Sequence, residues 1–336
     1  MSERPLARIL VTGAAGFIGS AVCGALLARG DAVLGVDNLS DYYDVRLKEA
    51  RLARLAAHKD FSFCKADIAD KDAMLALAAG DIAGIVHLAA QPGVRYSLEN
   101  PFAYVTANVM GHAVMLELAR ALQSSGHLKH FVYASSSSVY GANRKTPFAV
   151  GDAVDHPNSL YAATKRADEL FAQTYAHLYG IACTGLRFFT VYGPWGRPDM
   201  APMLFARAIA ADEPIKVFNH GEMWRDFTYI DDIVAGVIRA LDRPPSSESI
   251  KSGPPPHAIY NLGNHKSEKL TDFITEIEKA MGKKAQMIMA PMQPGDVPST
   301  FADIEASTRD LGFVPTTPIS VGIPKFVAWF RNYYGA

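Results

Sequence analysis

Short apolar runs alternate with amphipathic stretches through the first half of the chain. Arg8 to Thr12 is an apolar run that ends at a glycine, the pattern of a buried parallel strand. Phe17 to Arg29 has helical periodicity and stops at Gly30. Further strands are predicted over Ala32 to Val36, Phe61 to Cys64, Gly84 to Leu88, His130 to Ala134 and Cys183 to Phe188. Helices are predicted between them over Tyr43 to Ala57, Pro101 to Ser124 and Leu160 to Tyr179. Such alternation predicts an α/β fold, a Rossmann-type doubly wound parallel sheet with helices on both faces.

Beyond about residue 190 the alternation loosens. Short strands (Ile215 to Phe218, Asp226 to Tyr229, Ile259 to Leu262) mix with helices at Pro202 to Ala211, Asp232 to Leu241, Leu270 to Met281 and Ile319 to Tyr333. The division expected is a dinucleotide-binding domain over residues 1–190 and a smaller mixed α/β lobe over 191–336, with segments free to interleave. Pro244 to Pro256 reads as a surface loop. A ligand cleft is expected at the carboxyl ends of the strands.

Composition narrows the class. The 336 residues are 49% hydrophobic and 20% charged, as in globular enzymes. The formal net charge of −1 gives no global attraction to nucleic acid or anionic membrane, so an anionic ligand must be held by local arginines. Cys23, Cys64 and Cys183 are widely spaced and read as free thiols in a reducing cytoplasm. No targeting segment and no run of about 18 apolar residues is visible. The histidines show no metal-ligand spacing, so no metal is expected.

Three motifs carry chemistry. Gly13-x-x-Gly16-x-x-Gly19 lies between a strand and a helix. Gly13 allows a tight turn, Gly16 lets the backbone approach a pyrophosphate, and Gly19 lets the helix pack on the sheet. Ala15, Phe17 and Ile18 belong to the same phosphate turn, whose helix N-terminus favours negative charge. Asp37, beside Asn38, ends the second strand, where a carboxylate accepts the adenine-ribose hydroxyls and repels a 2′-phosphate; the cofactor expected is therefore NAD. Asp67 and Ile68 suit the adenine edge, and Leu88, Ala89 and Ala90 leave room for the cofactor to pass.

The other two motifs are a serine run, Ser135 to Ser138, and the pair Tyr161-x-x-x-Lys165. On a helix this spacing puts tyrosine and lysine on one face, one turn apart. The ammonium makes the phenol a usable acid or base, and a serine hydroxyl completes a proton path. The three motifs together describe hydride chemistry at an alcohol carbon.

Over nearly its whole length the chain resembles the extended short-chain dehydrogenase/reductase family. The glycine turn, His87-Leu-Ala-Ala90, Ser138-Val139-Tyr140-Gly141 and Tyr161-x-x-x-Lys165 stand in that family's order. Gly93-Val-Arg95-Tyr-Ser97 and Arg187-Phe-Phe-Thr190-Val-Tyr-Gly-Pro-Trp-Gly-Arg197-Pro-Asp-Met200 narrow the resemblance to nucleotide-sugar 4-epimerases, and among these to those acting on UDP-glucuronate. Pro92 departs from the alanine expected there. The resemblance implies Tyr161 as the base at the sugar 4-hydroxyl and Lys165 as its partner on the nicotinamide ribose. It implies Ser136 and Ser138 beside the sugar, and Asn108 on the cofactor or its supporting loop. Arg225 and Asp296 are expected on the diphosphate and its ribose, with Lys216, Val217 and Phe218 along the uracil. It also implies a homodimer built on the helices at Pro101 to Ser124 and Leu160 to Tyr179.

The expected reaction passes through a 4-keto sugar, which for a glucuronate is a β-keto acid prone to losing CO2. A guanidinium is the natural restraint on its carboxylate. Thr190 and Arg197 are the candidates, with Arg95 a third, whereas Arg187 reads as structural. A 4,6-dehydratase would need an Asp-Glu pair where Ser137 and Ser138 stand. A UDP-glucose 4-epimerase and a catalytically silent NAD-sensing protein remain as alternatives.

Overall fold

A computed structural model describes residues 8–246, 254–293 and 296–336. Its centre is a seven-stranded sheet in which every neighbouring pair is parallel. The strands are β1 (Arg8–Thr12), β2 (Ala32–Asp37), β3 (Phe61–Lys65), β4 (Ile82–His87), β5 (His130–Ser136), β6 (Cys183–Phe188) and β7 (His257–Leu262). Their spatial order is β7-β6-β5-β4-β1-β2-β3. The order reverses between β1 and β4, which opens a crevice at their carboxyl ends.

Each strand serves two cores because successive side chains point to opposite faces. Ile9 and Val11 join one buried cluster, while Leu10 between them joins the other. The first cluster is covered by α1 (Phe17–Arg29) and by α5 (Ile230–Leu241). The second lies under α3 (Gly111–Ser124) and α4 (Leu160–Tyr179). Helix α2 (Val45–Ala56) runs between β2 and β3.

Two helix ends match their predicted residues for a local reason. Gly30 and Gly180 adopt φ of 93° and 68°, the left-handed geometry that closes α1 and α4. At the other end of α4 the Ser159 hydroxyl accepts the Ala162 N–H at 3.1 Å. Helix α4 buries Ala162, Thr164, Lys165, Asp168, Glu169, Ala172 and Ala176, a stripe that turns Lys165 toward the sheet.

The segment 101–124 is not one regular α-helix. Pro101–Tyr104 leads into a π-helical stretch, Val105–Met110, before α3 begins at Gly111. Nor does the sheet stop at residue 190: β7 and α5 return to it from the second half. The rest of that half forms three two-stranded pairings, 190–192 with 227–229, 215–217 with 287–289, and 224–225 with 268–269. Helices Ala201–Ala210, Leu270–Met281 and Ile319–Tyr334 cover them. Of the segment read as a loop over 244–256, residues 247–253 lie outside the described residues. Among the described residues no helix is long and apolar enough to cross a membrane.

Candidate active site

One cleft of about 1210 Å³ collects most of the predicted residues. Its floor is the glycine turn. Gly13 adopts φ +72°, and a Cβ there would lie 2.9 Å from the Ala89 nitrogen. A Cβ on Gly19 would stand 2.0 Å from the Gly13 carbonyl oxygen, so helix α1 reaches this position only with glycine. The turn is fixed from below, where the Gly13 N–H donates to the Val36 carbonyl at 2.8 Å. Gly13, Gly16, Phe17, Ile18 and Gly19 line the cleft. The first turn of α1 presents N–H groups that no helix residue can accept, which suits a pyrophosphate.

Ala15 is a correction. It is fully buried and absent from the lining, and its N–H donates to Asp37 Oδ2 at 3.1 Å. The tight turn that exposes Gly16 points Ala15 into the protein. Asp37 lines the wall at the end of β2, with Oδ1 accepting the Leu39 N–H at 2.8 Å and Lys48 Nζ 3.6 Å away. Asn38 Nδ2 donates to Asp67 Oδ2 at 2.9 Å, and both residues stand with Ile68 at the cleft edge. Leu88, Ala89 and Ala90 continue the wall. A cradle emptied of side chains, a dipolar N-terminus and a carboxylate at the end of β2 fit NAD.

Asn108 does not line the cleft; of its two expected places it takes the second, on the loop that follows Ala90. The π-helical stretch buries it, where Oδ1 accepts the Gln91 N–H at 2.7 Å. Its Nδ2 donates to the Gln91 carbonyl at 3.2 Å and to Thr164 Oγ1 at 3.0 Å. It therefore joins the loop after Ala90 to α4, beside Lys165. Tyr104 steadies the same loop through its hydroxyl, which donates to the Pro92 carbonyl at 2.8 Å.

Tyr161, Lys165, Ser136 and Ser138 all line this cleft. Ser136 Oγ donates to Ser138 Oγ at 3.0 Å. Lys165 Nζ donates to the Ala134 carbonyl at 2.9 Å and to Asp168 Oδ2 at 3.1 Å. An ammonium has three donors, so one remains for a ligand. Burial pushes the Asp168 carboxyl up to about 6, with Lys165 opposing. Arg187 is structural, as expected: its Nε and NH2 grip Glu169 Oε1 and Oε2 at 2.8 and 2.9 Å.

The far wall carries the guanidinium groups. Arg95 NH2 lies 3.2 Å from Asp296 Oδ2, and its guanidinium carbon 4.9 Å from the centre of the Phe218 ring. Arg225 NH1 donates to the Trp224 carbonyl at 2.8 Å. Burial pulls the Arg225 guanidinium below its ordinary value; Asp296 opposes this and Arg95 adds to it. An anion between the two arginines relieves that repulsion. Lys216 and Phe218 line this wall. Val217 is the second correction: its side chain is buried in the core and its carbonyl accepts the Ala290 N–H at 2.9 Å, because alternate strand residues face opposite ways.

Thr190 and Arg197 also line the cleft. Arg197 Nε donates to Asp199 Oδ1 at 3.1 Å, and its NH2 pairs with Asp199 Oδ2. Burial works against the Arg197 charge, but Asp199 outweighs it and holds the guanidinium above its ordinary value. The Tyr42 hydroxyl donates to the same carboxylate at 3.2 Å. Nothing in the sequence gave Asp199 a role of its own; the only signal was that it stands two residues after Arg197. Among the described residues no group of three or more His, Cys, Asp or Glu side chains is placed to hold a metal ion.

Asp226, the neighbour of Arg225, is a tie rather than a ligand. It is fully buried and accepts N–H groups from Asn264 and Ala302 and the Thr228 hydroxyl. Burial pushes its carboxyl up to about 6 from 3.8, although these donors pull it down. The folded state thus holds this proton more tightly than the unfolded chain. The stabilisation is complete below about pH 4 and is lost as pH rises through about 6, a change of about 3 kcal/mol. Asp226→Asn should remove this slope: chemical denaturation from pH 4 to 7 should show the wild type losing more stability than the variant. Parallel curves would contradict it.

Residues 9–263 match the NAD dependent epimerase/dehydratase family, and the chain belongs to it. Its similarity reaches the level of individual enzymes. It is 46% identical to a probable UDP-glucuronate 4-epimerase of Rhizobium meliloti, over 97% of this chain and 98% of that protein. It is also 46% identical to UDP-glucuronate 4-epimerase 4 of Arabidopsis thaliana, over 97% of this chain and 76% of that one. The crystal structure of UDP-glucuronic acid 4-epimerase from Bacillus cereus, in complex with UDP-glucuronic acid and NAD, superposes with a TM-score of 0.87. That protein is 35% identical, with 97% of this chain and 100% of that one covered.

Proposed function

We propose that this protein is an NAD-dependent epimerase that inverts C4 of UDP-glucuronate to give UDP-galacturonate. The observation that carries this reading is a single cleft holding the glycine turn, the Tyr161–Lys165 pair and, further along, Thr190 and Arg197. Bound NAD supplies the reversible removal and return of hydride at C4. Tyr161 takes the proton from the 4-hydroxyl and returns it to the same oxygen, so no net proton is released. Lys165, anchored by Ala134 and Asp168, directs its third donor to the nicotinamide ribose. Ser136 and Ser138 hold the sugar oxygen beside Tyr161.

Arg225, Arg95 and Asp296 hold the diphosphate and its ribose, and Lys216 and Phe218 flank the uracil. Inversion requires the sugar to turn between loss and return of hydride, so the nucleotide must be gripped firmly and the sugar loosely. The keto intermediate decarboxylates when its carboxylate bond stands perpendicular to the ketone plane. Arg197 and Thr190 hold the carboxylate away from that geometry. Arg197 is already paired with Asp199, which orients its planar fork before the substrate arrives. The chemical test is isotopic. UDP-glucuronate deuterated at C4 should give UDP-galacturonate with the label retained at C4; washout of the label into water would contradict hydride return.

The reading includes a homodimer working in the cytoplasm, where Cys23, Cys64 and Cys183 stay free thiols. Phe102, 80% exposed, together with Val105, Met110, Leu170 and Leu178, leaves an apolar surface on the helices at 101–124 and 160–179. Light scattering should give twice the chain mass for the wild type and a monomer for Phe102→Glu. A monomeric wild type would contradict the interface.

A further inference from the structure

A buried guanidinium outside the cleft lining ties the phosphate turn to the segment before Arg197. Arg51, on α2, is fully buried and uses all five of its N–H donors. Nε and NH2 donate to the Trp195 carbonyl at 3.2 and 2.6 Å, and NH2 donates to the Gly196 carbonyl at 3.2 Å. NH1 donates to the Ala15 carbonyl at 3.0 Å and to the Tyr43 hydroxyl at 2.7 Å. These acceptors are three carbonyls and a hydroxyl, none of them an anion. Burying a charge on such partners is expensive, so the arrangement persists only if every donor is satisfied.

The position of these acceptors gives the residue its meaning. Ala15 immediately precedes Gly16 in the phosphate turn, while Trp195 and Gly196 immediately precede Arg197. Trp195 holds φ +65°, a left-handed conformation that a bulky residue keeps only under restraint. Its ring is enclosed by Trp329 and Tyr333, at centroid distances of 5.3 and 5.2 Å, and by the Arg54 guanidinium at 4.7 Å. Helix α2 therefore restrains this segment through its backbone with Arg51 and through its ring with Arg54.

We propose that Arg51 is a positioning residue for carboxylate recognition. It sets the Arg197 segment in register with the cofactor turn, so that the Arg197 guanidinium meets the sugar carboxylate at a fixed distance from C4. The inference rests on Arg197 being the carboxylate grip. It does not extend to the nucleotide, whose candidate ligands Arg95, Arg225 and Asp296 make no contact with Arg51.

The test compares UDP-glucuronate with UDP, which lacks the carboxylate. Affinities are measured by calorimetry on NAD-loaded protein in a Tyr161→Phe background, where turnover does not blur binding. Arg51→Met should weaken UDP-glucuronate roughly tenfold more than UDP, since a displaced grip loses its contact while the nucleotide site is untouched. Arg51→Lys, which keeps the charge but cannot span both sets of carbonyls, should fall between Arg51→Met and wild type. It carries the same test if Arg51→Met does not fold. Equal weakening of both ligands, or no change in either, would overturn the inference. Arg197→Ala in the same series separates the two ideas. If it shifts the ratio and the Arg51 variants do not, the Arg51 inference alone fails. If Arg197→Ala leaves the ratio unchanged, the grip lies elsewhere and both fall.

Discussion

Tyr161→Phe is expected to lower turnover of UDP-glucuronate about a thousandfold or more while leaving NAD bound. The substitution removes one oxygen and leaves the ring, so its edge-on packing against Tyr104 at 6.1 Å is retained. The neighbouring Tyr104 does not replace it, because it spends its hydroxyl on the Pro92 and Gly93 carbonyls. Lys165 keeps its bonds to Ala134 and Asp168, so the ribose contact proposed for it should survive. The check is paired: steady-state turnover, and the nucleotide released when the purified variant is denatured. Retained turnover would remove Tyr161 from the mechanism, and loss of NAD would show that it acts in cofactor binding instead.

Arg197→Ala should change the product as well as the rate. A bidentate, charge-assisted contact is worth about 1.5–3 kcal/mol, so kcat/KM for UDP-glucuronate should fall roughly 10- to 100-fold. The keto acid would then be free to rotate its carboxylate perpendicular to the ketone, and a decarboxylated UDP-pentose should accompany UDP-galacturonate in the proton NMR spectrum. Asp199 is left without its partner in this variant, which adds local repulsion to any approaching carboxylate. Clean epimerisation at the wild-type rate would show that a group other than Arg197 restrains the carboxylate.

The parallel sheet was legible because buried parallel strands read as uninterrupted apolar runs, and because Gly30 and Gly180 mark helix ends by a conformation few other residues adopt. The strands Thr190–Tyr192 and Met287–Met289 were not legible, although the equally short Ile215–Val217 and Phe227–Tyr229 were, so length alone did not decide it. The π-helical stretch at 105–110 was hidden for a different reason. Its composition is that of an ordinary helix, and only the tertiary demands on Asn108 distinguish it.

The site divides in the same way. Candidate residues that belong to a local motif, such as Gly13, Gly16, Gly19, Tyr161 and Lys165, are visible from spacing, and the fold brings them to one cleft. Ala15 and Val217 sit inside motifs and yet point away from the cleft, because adjacent residues of a tight turn or a strand face opposite sides. Arg51 lies in a helix rich in leucine, alanine and arginine, where it looks like one more surface charge. Its partners are at positions 15, 43, 195 and 196, and only the folded chain brings them together.

The most direct measurement is proton NMR of UDP-glucuronate incubated with the purified protein and no added NAD. The account predicts that UDP-galacturonate signals grow in to equilibrium, with turnover sustained by cofactor that the protein already holds. UDP-glucuronate that stays unchanged, with or without added NAD, while UDP-glucose is converted to UDP-galactose would contradict it and make the protein a neutral-sugar epimerase.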